Sequence, residues 1–168
     1  MRLRCSTSHG VLARVYIERV QDPAEPRLAS LIAKSDAYLD ALYPPESNHT
    51  EPLATLVRPG SAFFAGFIDA SAVACGAAKV VRADTPYGEI KRLFVDDTYR
   101  GRGLAVTMMA HLERYVLDSG ISTVRLEAGP LQPAALGLYR KLGYYERGPF
   151  GNYPDDPLSV FMEKALVA

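Results

Sequence analysis

The stretch Tyr99-Arg100-Gly101-Arg102-Gly103-Leu104-Ala105 constrains this chain more than any other, because it joins an apolar strand pattern to an amphipathic helix through a basic, glycine-rich turn. Upstream, Ile90, Leu93, Phe94 and Val95 read as a strand. Downstream, Leu104, Met108, Leu112 and Val116 recur every four residues and share one helix face. The glycines therefore sit at a helix N-terminus, where the first backbone N–H groups lack intrahelical partners and the helix dipole is positive. Gly101 and Gly103 carry no Cβ to hold an anion away, and Arg100 and Arg102 add charge and donors. The turn is built to bind a phosphate.

Length and charge limit what surrounds it. With 168 residues, 48% hydrophobic and 23% charged, the chain fits one packed domain spanning residues 1–168. Lys plus Arg number 19 against 19 Asp plus Glu, so no global basic field draws the protein to nucleic acid, and any anion binding is local. Cys5 and Cys75 make neither a disulfide framework nor a metal-ligand spacing, and His9, His49 and His111 are scattered, so no metal is expected. The sequence has no apolar run of membrane-spanning length and no signal-peptide core, which predicts a cytoplasmic protein.

The pattern along the chain alternates. Val11 to Val20 predicts a strand and Ala24 to Leu42 a helix, followed by a loop at Tyr43-Pro44-Pro45-Glu46-Ser47-Asn48-His49, where consecutive prolines remove donors. Ala62 to Ile68 and Ala72 to Val81 predict a hairpin about Asp69-Ala70-Ser71. Thr85-Pro86-Tyr87-Gly88 supplies the next turn, and Glu89 to Val95 the strand entering the glycine turn. Val124 to Leu126 is a buried strand, Pro133 to Leu142 a short helix stopped by Gly143, and Tyr144 to Arg147 and Leu158 to Met162 are the last strands.

The pattern Arg100-x-x-Gly103-x-Ala105 after an apolar strand resembles the acetyl-coenzyme A signature of the GNAT N-acetyltransferase family. From Gln132 through Tyr144, Gln-x-x-Ala-x-x-x-Tyr-Arg-Lys-Leu-Gly-Tyr is similar to that family's second signature, a short tyrosine-bearing helix ending in Gly and an aromatic. Gln132 stands where the family often has Asn, and Asp97 where Pro is common. The resemblance implies an α/β (α+β) fold: a mixed, mostly antiparallel sheet, splayed between its fourth and fifth strands and flanked by about four helices. It also implies acetyl-CoA as co-substrate without metal, a primary amine of a small molecule or peptide as acceptor, no nucleic-acid or membrane partner, and a homodimer. A dinucleotide fingerprint competes for the glycine turn, with Glu127 ending the next strand, but Val106 occupies the place of its third glycine. No Gly-Lys-Ser/Thr marks a P-loop.

Acyl transfer from a thioester to an amine needs a deprotonated nucleophile, a stabilised oxyanion and a proton for the leaving thiolate. The resemblance assigns Glu89 as base; its bland alternative is an ion pair with Lys91 or Arg92. It assigns the oxyanion and pantetheine contacts to the backbone of Leu93, Phe94 and Val95, and the pyrophosphate to Arg100, Gly101, Arg102, Gly103, Leu104 and Ala105. Tyr139 aligns with the general acid and also lies against the cofactor, with Gln132 beside it. His49 and the segment Phe150-Gly151-Asn152-Tyr153-Pro154 are expected on the rim of the acceptor pocket, and Cys75 in the core. A non-catalytic acyl-CoA sensor with the same fold is the alternative function.

Overall fold

The computed structural model describes residues 3–6 and 12–167, with side chains from residue 15 onward. His9, the predicted strand start at Val11 and the side chain of Cys5 lie outside the described residues. The chain runs β1 (Leu3–Ser6), β2 (Leu12–Val20), α1 (Ala29–Leu42), α2 (Leu53–Leu56), β3 (Ser61–Ile68), β4 (Ser71–Val81), β5 (Tyr87–Val95), α3 (Leu104–Asp118), β6 (Thr123–Ala128), α4 (Pro133–Lys141), β7 (Tyr145–Arg147) and β8 (Val160–Ala165). The strands make one mixed sheet in the order β1-β2-β3-β4-β5-β6-β8-β7. Among these neighbours only β5 and β6 run parallel, so the expected fold class, mostly antiparallel with about four helices, is the observed one.

The predicted apolar face of α3 is buried, with Leu112 and Val116 at 0% exposure. That helix lies hard on β5: a Cβ at Gly88 would stand 2.3 Å from a Val116 methyl, so only glycine permits the approach. Leu136 and Tyr139 of α4 join the same cluster. A second cluster packs Leu28, Leu31 and Leu56 against Phe63 and Phe67 of β3. Helices from the two halves of the chain therefore hold separate apolar clusters on the sheet.

Several boundaries differ from expectation for local reasons. Pro26–Leu28 forms a separate 3₁₀ turn, because the Glu25 side chain accepts from the Arg27 N–H, and α1 begins only at Ala29. The last strand starts at Val160 rather than Leu158, whose N–H is held by Asp156 Oδ1 at 2.8 Å in the preceding turn. The β3–β4 turn needs no glycine, since Asp69 itself adopts φ +52°. β1 and α2 are too short to show a period in the sequence and were not expected from it. With β1 counted, the splayed pair is β5–β6.

The splay has a cause in the register. Pairing between β5 and β6 stops at Ile90↔Leu126, although β5 continues to Val95 and β6 to Ala128. Just beyond, Arg92 and Leu93 both oppose Gly76 of β4, and Arg92 has φ +52°. This is a β-bulge, which bends its strand and re-aims a side chain. The sheet opens into a wedge where the bulge turns β5 away.

Candidate active site

β5 leads into the anion cradle through a tight 3₁₀ turn, Asp97–Tyr99. Asp96 starts it, accepting from the Thr98 N–H at 3.0 Å and pairing with Lys34 at 2.6 Å. Burial opposes ionisation of this carboxyl, but Lys34 and Thr98 prevail and hold it down at about 2. Gly101 and Gly103 follow at φ +73° and +77°, a region other residues enter only at a cost. The first helical bond is Thr107 N–H to Gly103 O at 3.1 Å, and no side chain caps the helix. The N–H groups of Leu104, Ala105 and Val106 thus have no intrahelical acceptor.

A Cβ on either glycine would meet nothing within 4 Å, so the backbone is open to a ligand. A cavity of about 210 Å³ lies there, lined by Val95, Arg100, Gly101, Gly103, Leu104 and Ala105. These residues fit a pyrophosphate: free N–H groups, a helix N-terminus and one guanidinium. Arg100 is braced for the task by Nε donating to Val95 O at 3.1 Å. Arg102, expected in the cradle, lies over the Tyr99 ring at 5.2 Å and donates to Thr98 O at 3.2 Å.

The wedge between β5 and β6 holds a second cavity, of about 100 Å³, lined by Leu93, Phe94, Gln132 and Tyr139. The same cavity is bounded by Glu127 at the end of β6, by Arg92 and by His49. Tyr139 Oη makes no hydrogen bond to any described residue. Burial, and after it the nearby Glu127 charge, push the Tyr139 phenol up, so it stays protonated through the neutral range. Burial likewise pushes the Glu127 carboxyl up, against the Ser159 hydroxyl that donates to it at 2.8 Å.

A third, outer cavity of about 800 Å³ shares His49, Thr50, Glu51, Lys91 and Tyr153 with the wedge. Glu89 lies on its wall with its side chain 8% exposed, 3.1 Å from Lys91 Nζ. Tyr153 donates to Glu89 Oε1 at 2.6 Å and in turn accepts from Lys91. Glu51 holds Lys79 at 2.9 Å, and Lys91 lies 3.8 Å from its other oxygen. The Glu89–Lys91 ion pair therefore exists, and it is part of an alternating network at the cavity mouth. Gly151, Asn152, Tyr153 and Pro154 line this mouth as expected. Phe150 does not: it is buried edge-on against Tyr87 at 5.4 Å and Phe161 at 5.7 Å. Cys75 is wholly buried, its thiol pushed up to about 12 by burial.

Known proteins share this fold. The model of the acetyltransferase (GNAT) family matches residues 28–144. The chain belongs to that family. It is 40% identical over 146 residues to an IAA acetyltransferase of Azospirillum brasilense, covering 87% of this chain and 95% of the relative. It is 30% identical to the uncharacterised N-acetyltransferase YsnE of Bacillus subtilis, covering 88% and 98%. A solved Klebsiella pneumoniae structure of a candidate acyl-CoA N-acyltransferase superposes with a TM-score of 0.72 at 34% identity, covering 91% and 98%. The PaiA N-acetyltransferase of Thermoplasma acidophilum, solved in complex with coenzyme A, shares the fold at 16% identity and TM-score 0.67, covering 90% and 98%. The protein is thus an acyl-CoA-dependent N-acetyltransferase of the GNAT fold. No helix among the described residues is long and apolar enough to cross a membrane, and no group of three or more His, Cys, Asp or Glu there could hold a metal ion.

Glu127, Arg92 and Lys91 were not singled out as site residues by sequence reasoning. Glu127 carried only the weak signal of an acidic residue ending a strand, and Arg92 none, because its place depends on the bulge.

Proposed function

We propose that the protein moves the acetyl group of acetyl-CoA to a primary amine of a small molecule or peptide, by direct attack in a ternary complex, and that residues 1–168 form one domain for this task. The observation that carries the reading is the wedge itself, where Tyr139 and the high-pKa Glu127 line one cavity between the anion cradle and the outer mouth. Arg100, Gly101, Gly103, Leu104 and Ala105 hold the pyrophosphate; the unpaired edge of β5 at Leu93, Phe94 and Val95 meets the pantetheine arm and the oxyanion; Gln132 flanks it. The use of coenzyme A by a protein of the same fold supports this placement.

Two carboxyls compete to be the base. Glu89, the expectation from sequence, has Oε1 engaged by both Tyr153 and Lys91. Glu127 lines the same cavity as Tyr139, and a carboxyl raised toward neutrality is a better matched proton acceptor. We assign proton uptake to Glu127 and the ordering of Lys91 and Tyr153 to Glu89. The amine nitrogen attacks the thioester carbon, the C–N bond forms and the C–S bond breaks. Of the two protons the ammonium loses, one leaves to solvent through Glu127, and the thiolate takes its proton from Tyr139, which recovers the other.

Calorimetric titration with acetyl-CoA beside NADH, followed by thiol release with a panel of amines, tests the reading. Acetyl-CoA binding with amine-dependent thiol release is the expected result. Binding without any release would favour the sensor, and binding of NADH alone would overturn the cofactor assignment.

A further inference from the structure

Among the described residues, two buried side-chain polar atoms lack a hydrogen-bond partner: Arg92 Nε and His49 Nε2. Both residues line the wedge cavity. Buried polar atoms are nearly always paired, so two orphans on the wall of one cavity point to a polar ligand inside it. Their chemistry narrows the ligand. The Arg92 Nε–H can only donate, and the group is permanently charged. Its terminal nitrogens are already used, one on Asp36 Oδ1 at 2.5 Å and the other on Glu51 O at 3.3 Å. Nε–H, by contrast, has no partner among the described residues, a cationic N–H that asks for an oxygen, best an anionic one.

The charge balance agrees. Glu51 is neutralised by Lys79 and Lys91 by Glu89. Among the described residues, Arg92, its side chain 5% exposed, has the half-exposed Asp36 as its one ion-pair partner. A buried cation with an exposed partner leaves room for a second anion. His49, edge-on to Tyr153 at 5.1 Å, adds a second donor whenever Nε2 carries a proton. Arg92 reaches this position because it occupies the bulge at φ +52°, and its partners come from α1 and from the segment before α2, away from the pyrophosphate cradle.

We propose that the amine acceptor is an amino acid or a similarly small amine bearing a carboxylate, with that carboxylate held by Arg92 Nε–H and His49 Nε2–H while its amine faces Glu127. The proposal rests on the acetyl-transfer reading above. The wedge, at about 100 Å³, takes the zwitterionic head. The side chain of the acceptor extends into the outer cavity through the shared residues His49, Thr50 and Tyr153.

Thiol release from acetyl-CoA, measured with matched trios, tests it: alanine, alaninamide and ethylamine; phenylalanine, phenylalaninamide and phenethylamine; leucine, leucinamide and 3-methylbutylamine. The expected result is a kcat/KM at least tenfold higher for the best acid than for its amide or decarboxylated partner. In His49→Ala and Arg92→Lys, checked for retained acetyl-CoA binding, that ratio falls toward one, chiefly through the KM of the acid. Should Arg92→Lys fail to fold, His49→Ala carries the comparison alone. Equal use of acids, amides and decarboxylated amines would overturn the carboxylate site and leave amine acetylation standing, as would a ratio that survives both substitutions. No release with any member of the panel would overturn the acceptor reading and this proposal together.

Discussion

In the proposed mechanism, Tyr139 and Glu127 draw their roles from burial. Desolvation keeps the Tyr139 phenol protonated through the neutral range, so its proton is present for the thiolate, and a carboxyl pushed the same way is a base poised nearer to the working pH. Tyr139→Phe should lower kcat by about 10²-fold, the low end of general acid contributions, with little change in acetyl-CoA affinity, read by steady-state kinetics beside calorimetry. Glu127→Gln should lower kcat and abolish the acidic limb of the kcat/KM profile. It should also move stability in a defined direction. The folded-state pKa of Glu127 is raised, so its contribution to stability is full below the unfolded carboxyl value and is lost as pH rises through the folded one. The neutral amide escapes that loss while still accepting from Ser159. The Tm of the variant relative to wild type should therefore climb as pH rises above the unfolded carboxyl value of about 4.3 and the folded-state carboxyl ionises. A difference that stays flat with pH would contradict the raised pKa.

At the level of elements, the strand, the glycine turn and helix α3 act as one device. Gly103 at φ +77° lets the chain enter α3 with its first N–H groups bare, and Gly88 lets α3 sit against β5. Gly103→Glu would place a carboxylate where an anion should lie and force a residue with a Cβ into the left-handed region, at a cost of about 1–2 kcal/mol. Acetyl-CoA binding should be lost in calorimetry while the far-ultraviolet circular dichroism stays native. These elements were legible in advance because their signals are local: a four-residue apolar repeat at Leu104, Met108, Leu112 and Val116, and two glycines before it. The wedge was legible only through family resemblance. Its immediate causes are the end of pairing at Ile90↔Leu126 and the bulge at Arg92, and both depend on strands far apart in sequence. The same distance effect hid Glu127, while the Arg102 guanidinium lies over Tyr99 and donates to Thr98 O, contacts that sequence reading did not anticipate.

For the molecule as a whole, the question is whether the two halves flanking the wedge can open independently. β5 belongs to both. It pairs with β4 along most of its length and with β6 only from Gly88 to Ile90, yet α3 packs across β5 and β4 and joins α4 and β6 in one apolar cluster. Lys34 of α1 reaches Asp96, and Arg92 reaches Asp36, so α1 on the other apolar cluster is tied to the end of β5 as well. Continuity of this kind among the described residues predicts one cooperative unit, and thermal unfolding followed by circular dichroism and by calorimetry should give coincident single transitions. In the proposed complex acetyl-CoA bridges the cradle on α3 and the unpaired edge of β5, so it would bind the folded sheet and not the unfolded chain. At one hundred times its dissociation constant it should add about 2.7 kcal/mol, or roughly 5–10 °C in Tm for a domain of this size. A split transition, in which the ligand shifts only one phase, would show instead that the wedge is a boundary between two separately folding halves.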